Sequence, residues 1–154
     1  MKRKTLKDGF ELAATRRTLP ISLLRAREAV MERFRPLLSA HGVTEQQWRV
    51  LRILQEAERM DASELAEAAC VLPPSLSRII KTLEKKTYIA VAKDRDDGRR
   101  SQISLTPEGD TFLRRVAPES AAIYATIEAA LGQDRIASLL DDIDVLLAAL
   151  DRTS

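Results

Sequence analysis

The segment from residue 61 to 109 constrains the fold more than any other part of this sequence. Two short helices are predicted there, Ser63 to Ala69 and Pro73 to about Lys86, with only a tight turn between them. Two strands follow, Ile89 to Lys93 and Ser101 to Leu105, joined by a polar loop. This order is typical of a winged helix-turn-helix, in which the second helix enters the DNA major groove and the first braces it.

Longer helices are predicted on both sides of this unit. The helix before it covers Leu19 to Ala40. The residues from Thr44 have the spacing of a capping box, which predicts the start of another helix that runs to about Ala57. Two more helices follow the hairpin, from Pro107 to Leu131 and from Gln133 to Leu150. On a helical wheel, one face of the first helix gathers Leu23, Ala26, Val30, Phe34, Leu37 and Leu38.

The predicted fold class is therefore mainly α with a small β-hairpin wing. We expect residues 1–154 to form one domain, with about residues 58–106 as the winged helix-turn-helix. Residues 19–42 and 107–150 carry more apolar surface than this small unit can cover, so we expect them to be dimerisation helices. A homodimer places two modules on paired half-sites, which predicts a pseudo-palindromic double-stranded DNA operator as the partner.

Composition narrows the class of protein. No apolar stretch approaches the roughly 20 residues that cross a bilayer, and no apolar core follows the basic residues 1–4. We therefore expect a soluble cytoplasmic protein without a membrane partner. One histidine, one cysteine and no glycine-rich phosphate loop form no recognised catalytic or metal constellation. The expectation is a protein that is not an enzyme and has no cofactor or metal.

Charge is distributed unevenly along the chain, although the net charge is only +2. Residues 75–100 contain eight basic groups against four acidic ones, and residues 1–60 contain thirteen against seven. In residues 107–154 four arginines face nine carboxylates. The predicted second short helix and hairpin thus form a surface suited to a polyanion.

The candidate DNA contacts lie on that helix and in the hairpin loop. Ser75, Ser77, Arg78 and Lys81 share its outer side, whereas Leu76, Ile79, Ile80 and Leu83 form the side that packs inward. The loop arginines that can enter a minor groove are Arg95, Arg99 and Arg100. A winged-helix module that binds only proteins is the alternative, but such a module has no need of minor-groove arginines.

The same segment resembles the MarR family of transcriptional regulators. The stretches that carry the resemblance are Asp61-Ala-Ser-Glu-Leu-Ala-Glu-Ala-Ala, Ser75-Leu-Ser-Arg-Ile-Ile-Lys-Thr-Leu-Glu-Lys-Lys86 and Asp97-Gly-Arg-Arg-Ser-Gln-Ile-Ser-Leu-Thr-Pro-Glu-Gly109. The resemblance covers about residues 19–150. It implies that Arg99 enters the minor groove and that Asp97 holds the Arg99 side chain in place. The sequence departs from the family at Leu72, where serine or threonine is common, and at Thr87, where glycine is usual.

Residues 19–35 and 44–52 are similar to the subgroup that regulates homoprotocatechuate and hydroxyphenylacetate degradation. This resemblance implies a repressor of an aromatic-acid catabolic operon that a small aromatic carboxylate releases. Some members of the family respond instead to oxidants through a cysteine, which makes a redox-responsive regulator the alternative. Cys70, however, lies in the predicted turn of the helix-turn-helix, and we interpret it as a small buried residue.

Four residues are candidates for binding the effector. Arg27 falls among apolar positions of the first helix, and a buried arginine needs an anion, which is either a ligand carboxylate or an ion-pair partner. His41 ends that helix and is either a ligand contact or a structural hydrogen-bonding residue. Trp48 and Arg52, one turn apart, offer a ring and a cation to an aromatic acid. The alternative for Trp48 is an anchor between two helices.

Overall fold

The computed structural model describes residues 17–93, 96 and 100–151. In chain order its elements are α1 (Leu19–Ala40), α2 (Glu45–Ala57), β1 (Arg59–Asp61), α3 (Ala62–Ala69), α4 (Pro73–Lys85), β2 (Ile89–Lys93), β3 (Ser101–Leu105), α5 (Pro107–Leu131) and α6 (Gln133–Asp151). This mainly α architecture with a small sheet confirms the predicted fold class. None of the helices in these residues is long and apolar enough to cross a membrane.

Polar side chains cap the starts of α2 and α3. The Thr44 hydroxyl accepts from the Gln47 backbone N–H at 3.1 Å, and the Gln47 side-chain oxygen accepts from the Thr44 N–H at 3.1 Å, so the predicted capping box is present. Asp61 accepts from the Glu64 N–H at 2.8 Å at the start of α3. These caps satisfy amide groups that a helix start leaves without partners, and they explain why the helix boundaries follow the sequence signals.

The sheet contains a strand that the sequence pattern did not reveal. Its order is β1-β3-β2, and both pairings are antiparallel. Met60 on β1 and Val91 on β2 both lie opposite Ile103, which is buried at the centre of β3. β1 has only three residues, too few to show the alternation that predicts a strand. The wing is therefore a three-stranded sheet whose third strand comes from the α2–α3 connection.

The elements from α1 to α5 share one hydrophobic core. Its buried side chains come from every element except β1 and α6, and the largest fully buried ones are Leu38, Val50, Leu51, Leu54, Leu65, Leu76, Leu83, Ile103 and Val116. Leu65 of α3 and Leu83 of α4 are each 0% exposed, as are Val50 and Leu51 of α2. The helix-turn-helix is thus packed directly on α2, which in turn lies against α1 and α5.

The base of the wing is packed tightly against the start of α5. A Cβ atom on Gly109 would lie 2.2 Å from the Tyr88 carbonyl oxygen, so glycine is required for this close approach. The Tyr88 carbonyl also accepts from the Thr106 N–H at 3.0 Å, and the Tyr88 ring stacks on Phe112 with centroids 4.5 Å apart. Thr87 adopts a positive φ of 66°, so it takes the conformation that the family usually assigns to glycine.

The terminal helices leave apolar surface uncovered in the single chain. α6 has no buried residue, and Leu139, Leu140, Val145, Leu147 and Leu150 are each more than half exposed. Leu19, Leu23 and Leu24 at the start of α1 are similarly open. Exposed apolar faces of this extent mark protein–protein interfaces, as the prediction of dimerisation helices requires.

Candidate DNA-binding surface and ligand cavity

α4 has the two faces that the sequence predicted. Leu76, Ile79 and Leu83 are buried against the core and Ile80 is half-buried, while Arg78 and Lys81 are exposed on the outer side. Ser77 is also exposed, but its hydroxyl donates to the Pro73 carbonyl at 3.2 Å within the helix. Ser75 is half-buried. The outer side of α4 therefore presents mainly the two cations.

The start of α4 has no side-chain cap, as the departure at Leu72 predicted. Leu72 occupies the N-cap position with an extended backbone, and Pro73 and Pro74 follow as the first helical residues. Because proline has a φ close to that of a helix, the two prolines fix the first turn without a capping hydrogen bond.

The remaining predicted DNA contacts fall in the sequence between β2 and β3. Arg95, Asp97 and Arg99 lie outside the described residues. Arg100, at the base of the loop, is exposed. The Glu64 N–H that donates to Asp61 and, more weakly, the charge of Arg100 hold the pKa of the Asp61 carboxyl below its ordinary value.

A cavity of about 540 Å³ lies between α1, α2 and α5. Its apolar lining comes from α1 through Val30, Met31, Phe34 and Leu38, from α2 through Trp48, and from α5 through Leu113, Ala117, Ala121 and Tyr124. The Phe34 and Tyr124 rings lie 5.0 Å apart at an angle of 57°. This volume and lining suit a small aromatic molecule.

The polar part of the cavity lining comes from Arg49, Arg52 and Arg114 together with Glu45, Gln55 and Ser120. Glu45 is paired with Arg27 and Arg35 of α1. Arg52 donates to the side-chain oxygen of Gln55, whose amide donates to Asp110 at 3.0 Å. Arg114 donates to the other Asp110 oxygen at 2.7 Å. Gln55 and Arg114 together hold the pKa of the Asp110 carboxyl below its ordinary value. Arg114 is therefore neutralised by Asp110, whereas the immediate partner of Arg52 is an uncharged amide.

Arg49 is a cavity residue that the sequence reasoning missed. Its Nε atom is buried and has no hydrogen-bond partner among the described residues. A buried donor without a partner costs about 1–3 kcal/mol, so such a group calls for an explanation. Arg49 and Arg52 are three residues apart on α2, and this spacing places them on one helix face. That spacing is the signal that could have identified Arg49 as a companion of Arg52.

The structure separates the four predicted ligand residues into two pairs. Trp48 and Arg52 line the cavity, whereas Arg27 and His41 do not. The expectation of a buried Arg27 is wrong for the single chain, because 43% of its side chain is exposed and it pairs with Glu45 at 3.0 Å. His41 caps the end of α1, and its Nε2 lies 2.5 Å from a Glu119 oxygen. The contacts of both residues in the single chain are of the ion-pair and structural kinds that were left open as alternatives.

Cys70 also differs from its expected environment. It is exposed rather than buried, and it ends α3 in the left-handed conformation with φ 54°. The turn between α3 and α4 has no glycine, so an ordinary residue must adopt this conformation for the chain to reverse. The side chain points away from the core because Ala69 and Val71 on either side take the buried positions.

The structure is that of a DNA-binding winged helix-turn-helix protein. It has a recognition helix, α4, with a cationic outer face, a helix that braces it, α3, and a β wing. The model of the MarR family matches residues 43–101. The chain is 38% identical over 134 residues to the HTH-type transcriptional regulator FarR of Neisseria gonorrhoeae, covering 87% of this chain and 91% of FarR. The chain belongs to the MarR family.

Two further comparisons involve aromatic acids. The chain is 39% identical over 131 residues to the homoprotocatechuate degradative operon repressor of Escherichia coli, covering 85% of this chain and 88% of the repressor. It also matches the crystal structure of NadR in complex with 4-hydroxyphenylacetate with a TM-score of 0.82 and 35% identity, covering 89% of this chain and all of NadR. Both comparisons extend across the helices that enclose the cavity.

Proposed function

We propose that this chain is a homodimeric repressor of an operon for aromatic-acid breakdown, and that a small aromatic carboxylate releases it from DNA. The observation that carries the proposal is the cavity between α1, α2 and α5, which combines aromatic walls with the Arg49 and Arg52 guanidinium groups. Among the described residues neither of these two arginines forms an ion pair with a carboxylate. The protein acts as a regulator rather than as an enzyme, in the cytoplasm where the operator is found.

The DNA-binding surface consists of α4 and the wing. Arg78 and Lys81 contact the major groove or its phosphates, with Ser75 and Ser77 beside them, because α4 turns these residues away from the core. Arg95 and Arg99 of the wing loop reach the adjacent minor groove, and Asp97 orients Arg99. Each arginine or lysine that contacts a phosphate releases counterions, so affinity falls steeply with salt.

The second copy covers the exposed faces of α1 and α6. In a helix-turn-helix dimer the two recognition helices must reach half-sites one DNA turn, roughly 34–36 Å, or a multiple of it apart. The dimer interface sets this spacing. A ligand that shifts α1 or α5 relative to α2 therefore changes the fit of the two recognition helices to DNA.

The carboxylate of the effector pairs with Arg49 and Arg52, and its ring lies against Trp48 and Tyr124. A carboxylate oxygen would satisfy the buried Nε of Arg49, which lacks a partner among the described residues. Arginine presents a planar set of donors that suits a carboxylate, so two arginines on one face of α2 form a specific anion site. Arg27 and His41 lie outside the cavity lining, and we assign them structural roles.

The effector site is tested by titration with 4-hydroxyphenylacetate, with Trp48 fluorescence and operator release followed together. Trp48 is the single tryptophan, so its emission reports on the cavity. Loss of one charged hydrogen-bonding partner should weaken binding by about 10- to 100-fold in Arg49→Met and Arg52→Met. Arg33→Met is the matched control and should bind like the wild type, because Arg33 is exposed on α1, lies outside the cavity lining and donates only to the Ala29 carbonyl among the described residues. Unchanged affinity in both cavity variants would remove these arginines from the site.

The DNA surface is tested by gel shift with the DNA upstream of the gene. Arg99→Ala and Arg78→Ala should each weaken binding strongly. Lys86→Ala is the control because Lys86 donates to the Gly42 carbonyl at the end of α1, away from the outer side of α4. If Arg99→Ala binds as tightly as Lys86→Ala, the role that the family resemblance gives to Arg99 is wrong.

A further inference from the structure

The start of the recognition helix is unusually apolar for a DNA-binding surface. Leu72 is 74% exposed, more than any other exposed large hydrophobic residue in the described part of the chain. Pro73 and Pro74, which follow it, are also exposed. Three consecutive apolar residues thus project from the end of α4 that a helix-turn-helix directs into the major groove.

Leu72 is held rigidly in this exposed position. Val71 before it is buried, Leu76 after it is 2% exposed, and the Leu72 carbonyl accepts from the Leu76 N–H at 3.0 Å. The prolines fix the backbone of the first turn. Because its neighbours anchor both sides, Leu72 cannot turn into the core without displacing a buried residue.

The two prolines also change what this helix end can bind. Helix N-termini can bind phosphate groups through their free backbone N–H groups. Pro73 and Pro74 have no N–H, and among the first three helical residues only Ser75 keeps one. This end of α4 therefore has fewer phosphate donors than an ordinary helix start and presents hydrocarbon in their place.

The apolar end continues the cationic face of the helix. Pro74, Arg78 and Lys81 lie at positions i, i+4 and i+7, so they form one stripe along α4. A surface that is cationic along its length and apolar at its tip matches the DNA major groove, where phosphates line the edges and the thymine 5-methyl group is the apolar feature of the base pairs. DNA is therefore the occupant that this combination favours.

We propose that Leu72, together with the rings of Pro73 and Pro74, contacts thymine 5-methyl groups in the major groove and so selects a thymine in each operator half-site. The proposal rests on the DNA-binding function proposed above. It adds a base preference that Arg78 and Lys81 cannot supply. A cationic side chain can bond to two acceptors on one guanine, O6 and N7, whereas thymine presents the single acceptor O4 beside its methyl group.

The experiment compares thymine with uracil, which differ only by the 5-methyl group. Full-length protein first selects its preferred duplex from random DNA, and each thymine is then replaced in turn by deoxyuridine. Removal of one contacted methyl group should weaken wild-type binding about fourfold, and removal of the symmetric pair roughly 15-fold. Leu72→Ala should bind the thymine duplex more weakly and show a smaller further loss with uracil, because only the two proline rings remain to contact the methyl group. Leu72→Met should keep more of the sensitivity than Leu72→Ala.

The outcomes are separable. If no duplex is selected, DNA binding itself fails and this proposal falls with it. If a duplex is selected but every thymine can be replaced without loss, the protein binds DNA and Leu72 does not read methyl groups. Equal sensitivity to uracil in the wild type and Leu72→Ala also overturns the proposal. Thermal unfolding of each variant tests for misfolding. We expect each variant to unfold cooperatively like the wild type, because Leu72 is exposed and contributes little to the core.

Discussion

Leu72→Ser should raise the stability of the fold while it weakens DNA binding. Leu72 already has the extended backbone of an N-cap residue, with φ −67° and ψ 143°, but its side chain cannot accept a hydrogen bond. A serine there would accept from the Ser75 N–H, the first amide after the two prolines. The backbone needs no rearrangement for this cap, so its effect on stability should appear in full.

The expected magnitude follows from the cap and from the exposure of Leu72. A serine N-cap contributes about 1 kcal/mol relative to alanine. Full burial of a leucine is worth about 1.5–3 kcal/mol, so losing the buried quarter of this residue costs roughly 0.5 kcal/mol. Leu72→Ser should therefore be more stable than the wild type by about 0.5 kcal/mol, and more stable than Leu72→Ala by about 1 kcal/mol per protomer.

Urea unfolding at equal protein concentration measures this difference, with Leu72→Ala as the matched control. For a chain of this length, 1 kcal/mol corresponds to about 2–4 °C in the melting temperature. Both variants should lose the same affinity for operator DNA, because both lack the leucine side chain. If Leu72→Ser is no more stable than Leu72→Ala, the Ser75 amide is not available to a cap and the reasoning is wrong.

Three further predictions concern the contact between the wing and α5, stability at acidic pH, and the dimer. Gly109→Ala forces a Cβ against the Tyr88 carbonyl and should lower the unfolding free energy by about 1–3 kcal/mol or more, measured in urea against Glu108→Ala. Folding lowers the pKa of Asp110, so the ionised carboxyl stabilises the folded protein at pH values above its ordinary pKa of about 4. This contribution is lost as the pH falls through the lower pKa of the folded state. The unfolding free energies of the wild type and Asp110→Asn should therefore converge in acid. Leu147→Glu, on the uncovered face of α6, should sediment as a monomer, and a persistent dimer would contradict the assigned interface.

Helix and strand boundaries were predictable where local chemistry sets them. α1, β2, β3 and α5 begin and end where the sequence signals placed them, and the Thr44 capping box forms as its spacing predicted. These signals act over a few residues. β1 escaped prediction because its evidence is pairing with β3, about 40 residues further along the chain, and three residues carry no pattern of their own.

Burial was less predictable than secondary structure. A helical wheel shows which residues share a face, but it does not show which part of that face another element covers. Arg27 lies on the apolar side of α1, yet α5 covers that side only further along, at Phe34 and Leu38. Cys70 was expected inside for its size, but the left-handed turn directs it outward. Arg49 was missed because the sequence does not show that its Nε is buried without a partner, and its spacing from Arg52 was the one signal that it offered.

The position of the cavity explains how a ligand can act on DNA that it does not contact. Its walls are α1 and α5, which belong to the helices assigned to the dimer, and α2, whose Leu51 and Leu54 are packed with the helix-turn-helix core. An aromatic acid between them can alter DNA affinity only by the difference between its affinities for the DNA-bound and released dimers. A coupling of about 1–3 kcal/mol lowers operator affinity by roughly 5- to 150-fold, and operator DNA must lower effector affinity by the same factor. We infer that Arg49 contributes to this difference, because a carboxylate bound in the cavity would give its buried Nε the partner that it lacks among the described residues.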